Sequence, residues 1–357
     1  MAVGLPLKTT YANGDVYSAS DVNDTNGTIN LIGQTNNFYA GKNKIINGNF
    51  GVWQRGTSFS LSSGAYTYVA DRFQAISTFS AGSSTLSQQT FTPGTAPASG
   101  YEGQYFARLT CGTVASVWGY RNNIEDVRTF AGQTVTLSFW IKASAANATT
   151  SVEVSQIFGT GGSGNVTNTY TGPSITTSWQ RFSLTVAIPS ISGKTIGTSS
   201  YLSITAYSTT SIATSLAVDT WGWQLESGST ATAFQTSTGS IDGELASCQR
   251  YYFKHPATGG NSPITNFIYY SSTTTLGTIN FPVTMRTAPT LSVVTGTGYY
   301  QLVRNGGADD INTLVQDNSN AQASIIYNNT ESSGTAGQAA ILIANNASAS
   351  IAWSAEL

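Results

Sequence analysis

Charge is what this 357-residue sequence has least of: Asp, Glu, Lys and Arg make up 9%, against roughly 25% in an ordinary soluble domain. The 15 basic and 17 acidic residues balance to a net −2 and form no basic cluster, which argues against a nucleic-acid binder. The single histidine, His255, builds no His-rich metal site. With no nucleophile and carboxylate set around it in sequence, it reads as a solvated loop residue. The two cysteines, Cys111 and Cys248, read as buried thiols or as one bridge. No apolar run reaches the ~18 residues of a membrane span. Met1-Ala2-Val3 opens without a basic segment and apolar core, so no secretory signal is expected. The sequons at Asn147 and Asn165 then read as coincidences of an Asn- and Thr-rich text.

Catalytic patterns are missing too. Glu125-Asp126 and Asp309-Asp310 are adjacent carboxylates, but neighbours in a strand point to opposite faces. An acid/base pair needs two groups converging at roughly 5–9 Å. The run from Gly159 to Gly164 lacks the Lys-Ser/Thr of a phosphate-binding loop and reads as a flexible hairpin tip. The chain reads as non-enzymatic and without a cofactor.

What is present is aromatic content and short alternations. Seven Trp and 18 Tyr in a chain that is 11% aromatic can build cores, which a disordered Ser- and Gly-rich chain cannot. Val135, Leu137, Phe139 and Ile141 alternate with Thr136, Ser138 and Trp140, the period of a half-buried strand. Phe182, Leu184, Val186 and Ile188 repeat it, and Leu202 with Ile204 and Leu216 with Val218 follow. Asn43 to Phe59 reads as the first strand, with a turn signal at Asn47-Gly48 and Phe50 and Val52 sharing a face. Short strands, regular Gly/Ser/Thr turns and no long helix define an all-β chain, with a jelly-roll β-sandwich as the leading architecture.

Around Ser240 the pattern changes. Ile241, Leu245, Cys248 and Tyr252 recur at helical spacing. Asp242 and Glu244 sit where the helix dipole favours negative charge. A short helix ending near Arg250 is expected, with Leu245 packed between domains. Strand text resumes at Ile279-Phe281 and Leu291-Val293, with Pro282 and Pro289 at strand starts or edges. The expected organisation is an N-terminal docking arm over residues 1–42, a jelly roll over 43–236, a helical connector over 237–256 and a C-terminal β-sandwich over 257–357.

An ordered set of motifs runs through this framework: INGNFGVWQRGTSF ending at Phe59, then Tyr68-Val69-Ala70-Asp71-Arg72-Phe73. SFWIK (138–142), TSWQRFSLTV (177–186) and WGWQLESGSTATAFQ (221–235) follow. ELASCQRYY (244–252), FPVTMRTAPTLS (281–292) and IAWSAEL (351–357) close the set. In this order they resemble tailed-bacteriophage virion proteins whose middle domain is similar to a carbohydrate-binding module. The resemblance implies a non-enzymatic fibre or tail-associated adhesin for host attachment. Its location would be the virion, assembled in the bacterial cytoplasm, where reduced thiols are favoured. Its partners would be other virion proteins, met through the arm (GDVYSASDVN from Gly14), and host-surface glycans, with neither nucleic acid nor membrane insertion. The alternatives are an architectural head fibre or decoration protein, or a polysaccharide depolymerase.

Sugar sites stack aromatic rings on pyranose faces and read hydroxyls with amides and charges. On that ground the carbohydrate-binding candidates are Trp118, Tyr120, Arg121 and Asn122, taken as a strand-to-loop segment, with Tyr66, Tyr68 and Tyr101. Trp53, Trp140 and Trp179 belong to structure. Carbohydrate-binding jelly rolls often hold a calcium ion between a carboxylate just after NGxF and an acidic residue in the last strand. Asp219 matches the second position, but Gly51 occupies the first, so no metal is assigned. A sparsely charged sandwich has little electrostatic protection on its edges and faces, and the expected state is a homotrimer.

Overall fold

The computed structural model describes residues 40–113, 115–210, 215–256 and 260–357. The docking arm expected over residues 1–42 lies almost wholly outside them. Twelve strands build the first unit: β1 (Ser58–Leu61), β2 (Thr67–Tyr68), β3 (Phe73–Phe79), β4 (Ser84–Thr90), β5 (Tyr105–Cys111), β6 (Ala115–Glu125), β7 (Thr134–Ala143), β8 (Asn147–Ile157), β9 (Val166–Ile175), β10 (Gln180–Ala187), β11 (Tyr201–Ser208) and β12 (Leu216–Ser227). They pair into two six-stranded sheets, ordered β1-β4-β5-β12-β7-β10 and β2-β3-β6-β11-β8-β9. The alternations place Leu137, Phe139, Val218 and Leu225 of one sheet and Trp118, Tyr120, Leu202 and Ile204 of the other in a single core. The all-β, sandwich reading of the sequence holds.

The opening segment is a correction. Residues 41–57 form turns, not a first strand, and the first strand starts at Ser58. Two buried amides replace the ladder. Asn43 donates to the carbonyls of Trp223 and Gln235 and accepts from the amides of Ile45 and Leu225. Asn47 donates to the carbonyls of Val52 and Asp71 and accepts from the Val52 amide. Asn47 and Phe50 take φ of 61° and 53°, which breaks the extended path; a short amide side chain tolerates that region. Gly48 lies so close to Trp223 that a Cβ would sit 2.1 Å from its carbonyl oxygen. The Asn-Gly pair is therefore a packing requirement as well as a turn.

Two smaller expectations also change. The 159–164 hairpin tip is pinned: Thr160 and Thr198 exchange amide hydrogen bonds of 3.0 and 3.1 Å, and the Ser163 amide donates to Thr195. His255 is half-buried, with its amide donating to Ile351 and its ring against Phe253; burial lowers its pKa. Cys111 and Cys248 are free, buried thiols.

After the sandwich comes α1 (Ile241–Gln249), capped by Ser240, whose hydroxyl accepts from the Gly243 amide at 3.0 Å. It buries Glu244 and Cys248, whereas Ile241 is 85% and Leu245 36% exposed. The expected apolar face is therefore split, with Cys248 packed inward and Ile241 and Leu245 turned outward, as the hydrogen-bond donors around Glu244 draw its side in. The remaining strands are β13 (Tyr252–Lys254), β14 (Ser262–Tyr269), β15 (Thr275–Asn280), β16 (Thr290–Val294), β17 (Tyr300–Arg304), β18 (Gly307–Ile311), β19 (Val315–Ser319), β20 (Ala323–Asn328), β21 (Ala339–Ala344) and β22 (Ser350–Ser354). A three-stranded sheet, β13-β22-β16, and a seven-stranded one, β18-β17-β21-β14-β15-β20-β19, enclose a second core around Trp353, Phe253, Phe267, Tyr300 and Leu342.

Candidate functional site

In β6 and β11 the residues Trp118, Tyr120, Ile124, Leu202, Ile204 and Ala206 fill the core, so their alternates face outward. Register then assembles rows across the sheet. One row runs Gln74, Arg121, Thr205, Glu153, Thr169, and the next Asn123, Ser203, Ser155, Thr167. Every position in both rows carries a hydrogen-bonding side chain. Tyr66 lies over this surface with the Arg121 guanidinium 3.5 Å from its ring centre. Arg121 Nε donates to the Thr205 hydroxyl at 3.1 Å, and the Ser155 hydroxyl donates to Glu153 at 3.0 Å. Burial pushes the Tyr66 phenol above its ordinary value, Arg121 and Thr205 oppose this, and Glu153 and Tyr207 add to it. Among the described residues, Gln74 Oε1, Asn123 Oδ1 and Ser203 Oγ are buried on this side without a hydrogen-bond partner.

The candidates named from sequence divide sharply. Tyr66 and Arg121 come together on the outer face. Trp118 and Tyr120 are corrections: each is 1% exposed within the core, and the Tyr120 hydroxyl donates to the Val218 carbonyl, so no ring face is open to a sugar. Asn122 is also buried, donating to the Arg72 carbonyl. The segment is mid-strand, not strand-to-loop, because 115–125 is one continuous β6. Tyr68 shares the outer face but donates to the Leu357 carbonyl at 2.8 Å. Tyr101 lies elsewhere, against Trp221 and Phe234, where it lines a cavity of about 260 Å³ with Asn49 and Glu244. Asp219 accepts both Nε and Nη2 of Arg108 at 2.7 and 2.8 Å, with Lys142 at 3.6 Å; cations already occupy its oxygens. Gln74, Ser203, Thr205, Glu153 and Tyr207 were not among the residues named from sequence. Their signal was the polar half of the alternation whose apolar half marked the strands.

The sequence motifs converge at a different place, the junction between the two cores. Arg72, 2% exposed, pairs with Glu356, donates to the Asn123 carbonyl and stacks on Tyr251 at 3.5 Å. Arg55 reaches Glu356 at 3.0 Å and stacks on Tyr252 at 3.6 Å. Arg250 and Tyr251 both bind Glu125. Arg286 donates to the carbonyls of Ala355 and Glu356. Asp71 accepts from Gln54 N and Nε2, each at 2.7 Å, and burial pushes its carboxyl up to about 6 against Arg55 and Gln54. Its folded value exceeds its ordinary one, so its contribution is fully present below about pH 4 and lost as pH rises through about 6. Asp71→Asn should therefore flatten the fall of stability over that window, measured as melting temperature against pH. An unchanged slope would mean that Asp71 is ionised throughout.

No family model matches the chain, and no curated protein does. Among solved structures, the enzymatically active domain of bacteriophage CBA120 tailspike protein 4 aligns at 16% identity and a TM-score of 0.31, over 52% of this chain and 22% of its own length. A family 11 carbohydrate-binding module from Clostridium thermocellum, bound to a mixed-linked tetrasaccharide, aligns at 13% identity and 0.26, over 48% of this chain and 95% of its own. A cyclase from Fischerella sp. TAU aligns at 13% and 0.32, over 49% and 100%. Likeness at this level carries no argument about function.

Proposed function

We propose that the chain is a non-enzymatic structural protein of a tailed-bacteriophage virion, a fibre or tail-associated adhesin. In this reading its sandwich meets host-surface glycans through the Tyr66–Arg121 face. The carrying observation is that face itself: two rows of hydroxyl, amide and charged groups beneath a tyrosine ring, with three buried polar atoms that have no partner among the described residues. Asn123 and Ser203 are only 4% and 3% exposed, so the groups a hydroxyl-rich ligand would meet are the half-buried Tyr66, Gln74, Arg121 and Glu153 and the exposed Thr167 and Thr169. The virion assignment is supported by the ordered motif set and its use at one junction. The non-enzymatic assignment is supported by the rows, in which Glu153 is the lone carboxylate, whereas glycoside hydrolysis uses a pair. Glu125 is tied to Arg250 and Asp309 to Arg304.

A glycan array with the full chain tests this. Binding to a bacterial surface glycan is expected, weakened at least about tenfold, roughly 1.4 kcal/mol, by Tyr66→Ala or Arg121→Ala with melting unchanged. Absence of binding across bacterial surface glycans would favour the second reading, an architectural head fibre or decoration protein. That reading draws on the recognised motifs being buried at the junction. Release of reducing ends from host polysaccharide would instead identify a depolymerase.

A further inference from the structure

The cavity of about 260 Å³ beside Tyr101 is walled by stretches distant in sequence. Asn49 and Gly51 come from the opening turns, Tyr101, Glu102, Gln104 and Tyr105 from the approach to β5, and Ser240 to Glu244 from the start of α1. Hydrogen-bonding capacity is left over on this wall. Tyr101 Oη accepts from Asn49 Nδ2 at 3.1 Å, and among the described residues its own proton has no acceptor. The Tyr101 ring is fixed against Trp221 and Phe234. Gln104 is exposed. Glu102 commits one oxygen, which accepts from the Gly94 amide at 2.8 Å. Glu244 Oε2 takes one donor, the Asn47 amide at 2.7 Å. Each carboxylate keeps an acceptor site, since an oxygen can take two donors. None of the described residues on the wall is cationic.

We infer that this cavity binds a single uncharged sugar ring, the terminal hexose of a glycan. Its volume limits it to one ring, because pockets for drug-sized ligands run to roughly 300–1,000 Å³. The mixture of donors and acceptors selects hydroxyls. A sugar hydroxyl can donate to the spare carboxylate sites and accept from Tyr101 or Gln104, while Tyr101 and Tyr105 supply ring surface. An apolar ligand would strand those groups. Charge selects neutrality. An acidic ring would face Glu102 and Glu244 with no cation beside them, and the partial positive charge at the start of α1 is already met by Asp242 and Glu244. A cationic ring would compete for a Glu244 carboxylate that already holds four donors. Gly51 keeps the wall open: a Cβ there would lie 3.2 Å from Asn49 Nδ2, crowding the amide that orders Tyr101. The inference rests on the glycan reading for the source of the ring, but it uses none of the residues of the Tyr66–Arg121 face.

The test is a saturation-transfer NMR titration of the full chain with the methyl glycosides of glucose, galactose and mannose, and with methyl glucuronide as the acidic counterpart. It is run in a Tyr66→Ala, Arg121→Ala background, so that the face contributes no signal. At least one uncharged hexoside should bind, with the glucuronide weaker by about tenfold or more. Tyr101→Phe, which removes one hydroxyl, should weaken the hexoside by about tenfold with melting unchanged. Gly51→Leu, at an exposed position, should abolish binding by filling the cavity. No bound hexoside would overturn the inference. So would binding that survives both substitutions, or equal binding of the glucuronide. Hexoside binding alongside an unresponsive glycan array would support the cavity and reject the face; the reverse would reject the cavity alone.

Discussion

Arg72→Met is expected to lower stability by about 3–5 kcal/mol, the cost of breaking a buried ion pair from one side. The guanidinium is 2% exposed, and the Glu356 side chain it faces is 6% exposed. Methionine fills part of the volume but leaves that carboxylate to Arg55 alone, and it removes the stack on Tyr251. Because Arg72 belongs to the sandwich and Glu356 to the last residues of the chain, the lost energy acts on the junction. The variant should show a lowered denaturation midpoint and early proteolysis of the 351–357 segment. Arg72→Lys should rescue only part of the loss, since a compact ammonium cannot span Glu356 and the Asn123 carbonyl while stacking. A change below about 1 kcal/mol would show that Arg55 suffices to hold Glu356.

The junction also shows where sequence reading succeeds and where it stops. β7 and β10 were legible because their alternation is complete: Val135, Leu137, Phe139 and Ile141 pair with Val186, Leu184, Phe182 and Gln180 in register. The motifs were legible as an ordered text, but nothing in that text says that Arg72 meets Glu356 across 284 positions. Long-range pairing is a property of topology, not of local pattern. The outer face was half legible for the same reason. Tyr66 and Arg121 stood out as an aromatic and a cation, whereas Ser203, Thr205 and Glu153 become neighbours only once β11 is set between β6 and β8. Trp118 and Tyr120 misled because aromatics that bind sugars and aromatics that fill cores are the same residues. Asn43 to Phe59 misled because apolar residues two apart suggest a strand, while Asn43 and Asn47 hold the chain in turns that no periodicity records.

The helix gives the sharpest contrast, and a paired substitution reads it. Glu244→Ala should cost about 3–5 kcal/mol, whereas Leu245→Asp should change stability by about 1 kcal/mol or less, the reverse of what hydrophobic spacing suggests. Glu244 is 3% exposed. Its carboxylate accepts from the Asn47 amide at 2.7 Å, the Ser237 hydroxyl at 2.6 Å, and the Thr238 amide and hydroxyl at 2.8 and 3.0 Å. Alanine orphans all four donors. The hydroxyls can turn elsewhere, but the Asn47 amide, fully buried in the turn that opens the sandwich, cannot. Each orphaned buried donor costs about 1–3 kcal/mol, and the turn carrying Asn47 and Phe50 loses its tie to the helix. Leu245 borders a cavity of about 880 Å³ beside Gln249 and Phe253, so an aspartate there keeps its water. Thermal melts of the two variants decide: a loss for Leu245→Asp as large as that for Glu244→Ala, or larger, would mean that the helix packs through its apolar side.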